Sequence, residues 1–155
     1  TIENELEFCR KYSYLCMVRY PKSIAYGFKI EPGLEEMIIP KFTLQPLVEN
    51  YFVHGVDHKR KDNVISIKVR RVGEAVEIRV QDNGRGMEPN QLQRIQQILS
   101  HRDPREEVEE SKERQSIGIV NVHERFLLYF GDRYHIQITS EKGKGVLYTI
   151  TIEDT

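Results

Sequence analysis

The chain has 155 residues, 23 Lys and Arg against 24 Asp and Glu, and a formal net charge of −1. That length suits one domain, and the balanced charge argues against general nucleic-acid binding. Two cysteines seven residues apart make neither a disulfide framework nor a metal site. The first stretch, TIENELEFCRKYSYLCMVRYP, has no signal-peptide design and no apolar run long enough to cross a bilayer. It predicts a helix over 2–20 that stops before Pro21. Leu6, Cys9 and Cys16 fall on or near its packing side, where their exposure would promote self-association. Strands follow at 23–31 and, briefly, near 36–39.

Thr43 to Gly55, TLQPLVENYFVHG, predicts a helix over 43–55, because Leu44, Leu47, Val48, Tyr51 and Phe52 form an apolar stripe of helical period. Thr43 reads as its N-cap, Pro46 sits early enough to be tolerated, and Gly55 reads as the stop. Glu49, Asn50, Val53 and His54 fall on the opposite side, with Asn50 and His54 one turn apart. A neutral amide oxygen such as that of Asn50 suits Mg²⁺, which keeps most of its coordination for waters and phosphates. The same face also reads as plain solvated surface.

Strands at 64–72 and 75–81 are joined around Gly73, and the second runs into VEIRVQDNGRGM. A carboxylate, Asp82, thus sits at a strand end beside the bare backbone of Gly84 and Gly86. Such an acid can accept a hydrogen bond from an exocyclic amine while the glycines make room for a flat ring, although Asp-Asn-Gly also opens ordinary turns. Calcium-loop spacing fails at Gly84 and Arg85, and the third glycine of a dinucleotide fingerprint is replaced by Pro89.

A helix over 90–100 follows, with Leu92, Ile95, Ile98 and Leu99 on one face, and then HRDPREEVEESKERQ, too polar to order itself by burial. SIGIVNVHERFLLYF predicts a helix over 118–130 opening at Gly118, whose free N–H groups suit a phosphate, and closing at Gly131. Strands at 134–140 and 145–152 flank a turn with Gly143 and Gly145. Strands with helices between them, joined partly by hairpins, indicate an α/β fold: a two-layer sandwich on a mixed sheet.

In chain order, EN-x-x-x-H, D-x-G-x-G, a glycine opening a helix and G-x-G resemble the four nucleotide boxes of the GHKL superfamily of ATP-binding domains, over about Lys41 to Ile152. More narrowly, LQPLVEN-x-x-x-HG with GI-x-NV-x-ER resembles the catalytic domains of bacterial sensor histidine kinases of the LytS/YehU type.

The resemblance implies ATP and Mg²⁺ as ligands. Asn50 would hold Mg²⁺ on the phosphates, His54 would line the polar side, and Asp82 would accept the adenine amine. Gly84 and Gly86 would frame the base, Gly118 would begin the helix behind the phosphates, and Gly143 and Gly145 would close the pocket floor. It also implies a division into residues 1–20, the end of a dimerisation and phosphoacceptor region, and 21–155, the ATP-binding catalytic domain, with an ATP lid at about 87–117. Arg102, Arg105, Lys112 and Arg114 would be the lid's phosphate contacts.

The expected partners are those upstream helices and a response regulator, within a homodimeric bacterial protein anchored in the membrane with this domain in the cytoplasm. The phosphoacceptor histidine would lie upstream of this segment, and the five histidines present, His54, His58, His101, His123 and His135, are poor matches to it. No catalytic residue is assigned: Pro46 stands where gyrase-type relatives carry an acid, so hydrolysis should be slow. Val53, Ser116, Val146 and His123 depart from the family's usual lysine, glycine, threonine and basic residue. These departures leave open a degenerate, non-catalytic interaction module, and a GHKL ATPase is the other alternative.

Overall fold

The computed structural model describes residues 1–19, 24–102 and 114–155, the last segment by its backbone alone up to residue 117. The elements are α1 (Ile2–Arg19), β1 (Ile24–Ile30), α2 (Gln45–Asn50) running into a π-helical turn (Tyr51–Gly55), β2 (Asn63–Val72), β3 (Ala75–Asp82), α3 (Pro89–Ser100), α4 (Arg114–Phe130), β4 (Tyr134–Glu141) and β5 (Gly145–Glu153). They form one five-stranded sheet in the order β1-β2-β3-β5-β4. Only β1 and β2 are parallel; the other pairs are antiparallel.

The alternation in the strands sorts the two faces of this sheet. Cross-strand neighbours Ile67, Val80 and Tyr148 form one buried row, and Val69, Ile78 and Ile150 form the next. Against them lie Leu47 and Val48 of α2, Ile95 and Leu99 of α3, and Ile119, Val122 and Phe126 of α4. Each such side chain contributes about 1.5–3 kcal/mol when fully buried. The result is the two-layer sandwich on a mixed sheet that the pattern indicates.

Helix α1 packs onto this body. Ile2, Leu6, Cys9 and Ser13 recur at helical spacing and are all buried. Leu6 and Cys9 are therefore covered within the chain and unavailable for self-association, while Cys16 is half-buried. Burial pushes the Cys9 thiol up to about 12.

Three boundaries differ from those the sequence predicts, each for a local reason. No strand forms near 36–39, because the carbonyls of Glu35 and Met37 accept the N–H groups of Glu3 and Ile2 at 3.1 and 2.9 Å and so bind α1 instead of the sheet. Thr43 is not the cap of α2: its hydroxyl donates to the Pro40 carbonyl at 2.9 Å, and Leu44 stands at the cap position with no side-chain bond. Helix α4 begins at Arg114, so Gly118 lies inside it and does not open it.

Candidate functional site

Asp82 ends β3, and the turn after it is locked by backbone packed on backbone. Its Oδ1 accepts the Gly84 N–H at 2.8 Å. A Cβ on Gly84 would collide with the Gly55 carbonyl, the same oxygen that accepts the Arg85 N–H at 2.7 Å. From the other side the β4–β5 hairpin presses in. Gly145, at φ +95°, stands against the Asp82 carbonyl, and Gly86, at φ +69°, stands against the Glu141 carbonyl. Both positions demand a left-handed backbone and no side chain.

Asn83, which the motif leaves unspecified, pins the turn to β2. Its Oδ1 accepts the Val64 N–H at 2.8 Å and its Nδ2 donates to the Asp62 carbonyl at 2.7 Å. Ser140 braces the hairpin, accepting the Met87 N–H at 2.9 Å and donating to the Gly145 carbonyl at 2.7 Å.

The carboxyl of Asp82 is pushed up to about 6, first by burial, while the N–H groups of Gly84 and Val146 pull the other way. It is thus an acid largely withdrawn from water yet ionised near neutral pH, which suits a charge-assisted bond to a ligand donor.

Asn50 closes α2, and the chain then widens into the π turn before leaving the helix at Val56. Such turns cluster at functional sites. The Asn50 amide nitrogen is buried and makes no hydrogen bond of good geometry among the described residues. It lies near the Tyr148 hydroxyl, whose pKa burial raises and the amide partly restores. On its other side, a Cβ on Gly118 would come within 3.9 Å of the Asn50 Oδ1. That is an ordinary contact distance, so space beside Asn50 does not demand a glycine here, and Gly118, lying inside α4, donates no free helix-end N–H groups.

Asn50, His54, Asp82 and Gly86, predicted from separate motifs, line one cavity of about 90 Å³, together with residues including Leu47, Tyr51, Val146 and Tyr148. Its volume is below the roughly 300–1,000 Å³ of small-molecule pockets, enough for one edge of a base. Gly84, Gly118, Gly143 and Gly145 do not form its wall. Gly84 and Gly145 shape it from behind, and Gly143 lies in the hairpin turn, donating its N–H to the Arg85 carbonyl at 2.6 Å. His54 is at an exposed rim, and Val53 is 66% exposed beside it.

Tyr148 and Asn83 carried no motif signal. Tyr148 is an inward residue of an alternating strand, and its neighbour across the layers becomes visible only when the sheet is assembled.

Two further expectations change. Arg102 donates to the carbonyls of Tyr134 at 2.8 Å and Gly131 at 3.2 Å, so it fastens the end of α3 to the start of β4 with both of its terminal nitrogens. Arg105, Lys112 and the side chains of Arg114 and Ser116 lie outside the described residues. His123 is buried between His101, whose carbonyl is 2.7 Å from its Nε2, and Tyr134, whose hydroxyl is 3.2 Å from its Nδ1. Burial lowers its pKa, so it is a neutral packing residue.

Among the described residues no three His, Cys, Asp or Glu side chains stand together as metal ligands. Asn50, in the cavity wall, carries an amide oxygen of the kind that Mg²⁺ can take as a single protein ligand while waters and phosphates complete its shell.

The family model for histidine kinase-, DNA gyrase B- and HSP90-like ATPases matches residues 41–155, and the chain belongs to that family. Its named relatives within the family are sensor kinases. It is 31% identical over 152 residues to the sensor histidine kinase YesM of Bacillus subtilis, covering 98% of this chain and 23% of that protein. It is 31% identical over 151 residues to the sensor protein LytS of Streptococcus mutans, covering 97% and 24%. The chain thus spans about a quarter of the length of these relatives.

Among solved structures, the histidine kinase domain of the Erythrobacter litoralis EL346 blue-light activated kinase matches with a TM-score of 0.58 at 13% identity, over 95% of this chain and 59% of that one. The Acinetobacter baumannii histidine kinase AdeS matches with a TM-score of 0.57 at 11% identity, over 98% and 64%. At such identities the likeness establishes the fold.

Proposed function

We propose that the chain is the catalytic domain of a two-component sensor histidine kinase, binding Mg-ATP and donating the γ-phosphate to a histidine elsewhere in the full protein. The observation that carries this reading is the convergence of Asp82 and Asn50, from distant parts of the sequence, on one cavity. Asp82 accepts the adenine amine. Guanine offers a carbonyl oxygen there, which faces the carboxylate with no proton between them, so the wrong base is rejected.

Asn50 supplies an amide oxygen to Mg²⁺, which neutralises charge on the phosphates when bound. His54 lines the polar rim. Gly84, Gly86 and Gly145 hold the backbone where the base docks, Gly118 lies on α4 beside Asn50, and Gly143 fastens the hairpin. The domain's own contribution to phosphoryl transfer is positioning.

The names of the relatives support the wider setting: a homodimer, upstream phosphoacceptor helices next to α1, a response regulator, and a membrane-anchored whole with this domain on the cytoplasmic side. No helix among the described residues is long and apolar enough to cross a membrane.

The test is calorimetric titration with a non-hydrolysable ATP analogue and Mg²⁺. Binding at one site, weakened roughly tenfold or more in Asp82→Asn, is expected; no binding in the unmodified protein sinks the reading. A second reading, an interaction module that no longer takes nucleotide, draws on the small cavity and on Val53 exposed without a cationic head. The same titration decides between them.

A further inference from the structure

Glu5, on α1, is a carboxylate with only 4% of its surface exposed. Both of its oxygens are taken by backbone of the segment leading into α2. Oε1 accepts the Phe42 N–H at 2.9 Å and Oε2 accepts the Thr43 N–H at 3.2 Å. Phe42 holds a left-handed backbone, φ +58°, the only non-glycine residue among those described with a positive φ. That conformation is costly for a side chain with a Cβ and persists only where its surroundings fix it. Arg125 of α4 in turn donates to the Lys41 carbonyl at 2.7 Å. Residues 41–43 are therefore gripped by α1 and α4 together.

The gripped segment leads directly into the helix that carries Asn50. Leu44 is the cap of α2 and has no side-chain capping bond, and the first turn of the helix holds no acid. The anchoring that a helix normally takes from its own cap comes here from a carboxylate on another helix. Asn50 sits at the far end of the same short helix, with its amide unpaired in the cavity. We propose that Glu5 is a positioning residue for the nucleotide site. By fixing the start of α2 it sets where the Asn50 amide stands against the metal and phosphates, so α1 and Mg-nucleotide binding are energetically linked.

The linkage rests on the proposed nucleotide site and adds to it a route by which displacement of α1 changes affinity. Linkage of this kind is reciprocal: if α1 in place favours Mg-nucleotide, bound Mg-nucleotide must favour α1 in place.

The experiment compares unmodified protein with Glu5→Gln, well below both melting temperatures, in titrations with Mg²⁺ and a non-hydrolysable ATP analogue and separately with adenosine. Glu5→Gln is expected to weaken the Mg-nucleotide about fivefold or more. Adenosine affinity should fall clearly less than that of the Mg-nucleotide, because Asp82 ends β3 and its turn is also fixed by Gly86 and Gly145 against the β4–β5 hairpin. In the unmodified protein, Mg-nucleotide should also slow hydrogen exchange at the Phe42 and Thr43 amides. In a Glu5→Gln, Phe42→Gly double variant, affinity should recover in part, since glycine holds the left-handed turn without strain.

A Glu5→Gln protein with a lower melting temperature but unchanged affinity for both ligands makes Glu5 a purely structural residue and overturns the proposal. Unaltered exchange at Phe42 and Thr43 on saturation overturns it without recourse to any variant. If the unmodified protein binds no nucleotide, the functional reading itself falls and this inference with it; if it binds and Glu5→Gln binds alike, only the inference falls.

Discussion

The two ends of the cavity are built differently. At the proposed base end, Asp82 sits on a turn whose shape is enforced by main chain: Gly84 on the Gly55 carbonyl, Gly86 on that of Glu141, Gly145 on that of Asp82 itself. At the proposed metal end, Asn50 depends on a short helix whose lead-in is anchored by a side chain from α1, and its amide nitrogen lacks a partner among the described residues. The contrast teaches that one half of a site can be made rigid by removing side chains, while the other half, held by side-chain contacts, stays adjustable from outside.

The sharpest break is expected at the base end. Gly145→Ala places a Cβ against the Asp82 main chain at φ +95°, where neither the space nor the angle allows it. It should cost more than about 2 kcal/mol in denaturant unfolding and abolish nucleotide binding. Retained stability would show that this turn yields, and would erase the contrast. Next comes Asp82→Asn, which removes a charge-assisted bond of about 1.5–3 kcal/mol and should weaken the ATP analogue roughly tenfold to a hundredfold; equal affinity in calorimetry takes Asp82 out of the base contact.

Titration sharpens the same point. The Asp82 carboxyl rises from 3.8 to about 6 on folding, so its contribution to stability is fully present below pH 3.8 and is lost as pH rises through about 6. Nucleotide binding wants the ionised form and so should strengthen over the same interval. Opposite slopes of melting temperature and affinity between pH 4 and 6, both removed in Asp82→Asn, are expected; parallel slopes refute the assignment.

The smallest effect belongs to His123, whose pKa burial lowers from 6.5. Its stabilisation is present above pH 6.5 and is lost as pH falls below that value. His123→Gln should lower stability modestly at pH 7 and flatten the acid-side decline seen by thermal unfolding, leaving nucleotide affinity unchanged.

Most of the sheet was legible because its inward residues alternate without interruption, and Gly84, Gly86 and Gly145 were legible because close backbone approach admits nothing larger. The apolar stripe of the helix carrying Asn50 was equally plain. Its mode of anchorage was not: Thr43 resembles a cap by composition, yet the function falls to Glu5, far away in sequence, which local pattern cannot reveal. The sequence points to a helix start at Gly118 because glycine often marks a helix end, whereas α4 already runs from Arg114 and Gly118 lies within it, beside Asn50. Strand formation near 36–39 was overestimated for a related reason, since α1 took the hydrogen bonds that a sheet would have needed.

The sealed thiol of Cys9 has a practical consequence. With its proton held to about pH 12 and its sulfur covered by the domain, it should resist alkylation while α1 stays docked, leaving Cys16 to react first. A thiol reagent then becomes a clock for undocking of the helix, because each opening event exposes one cysteine that closure hides again.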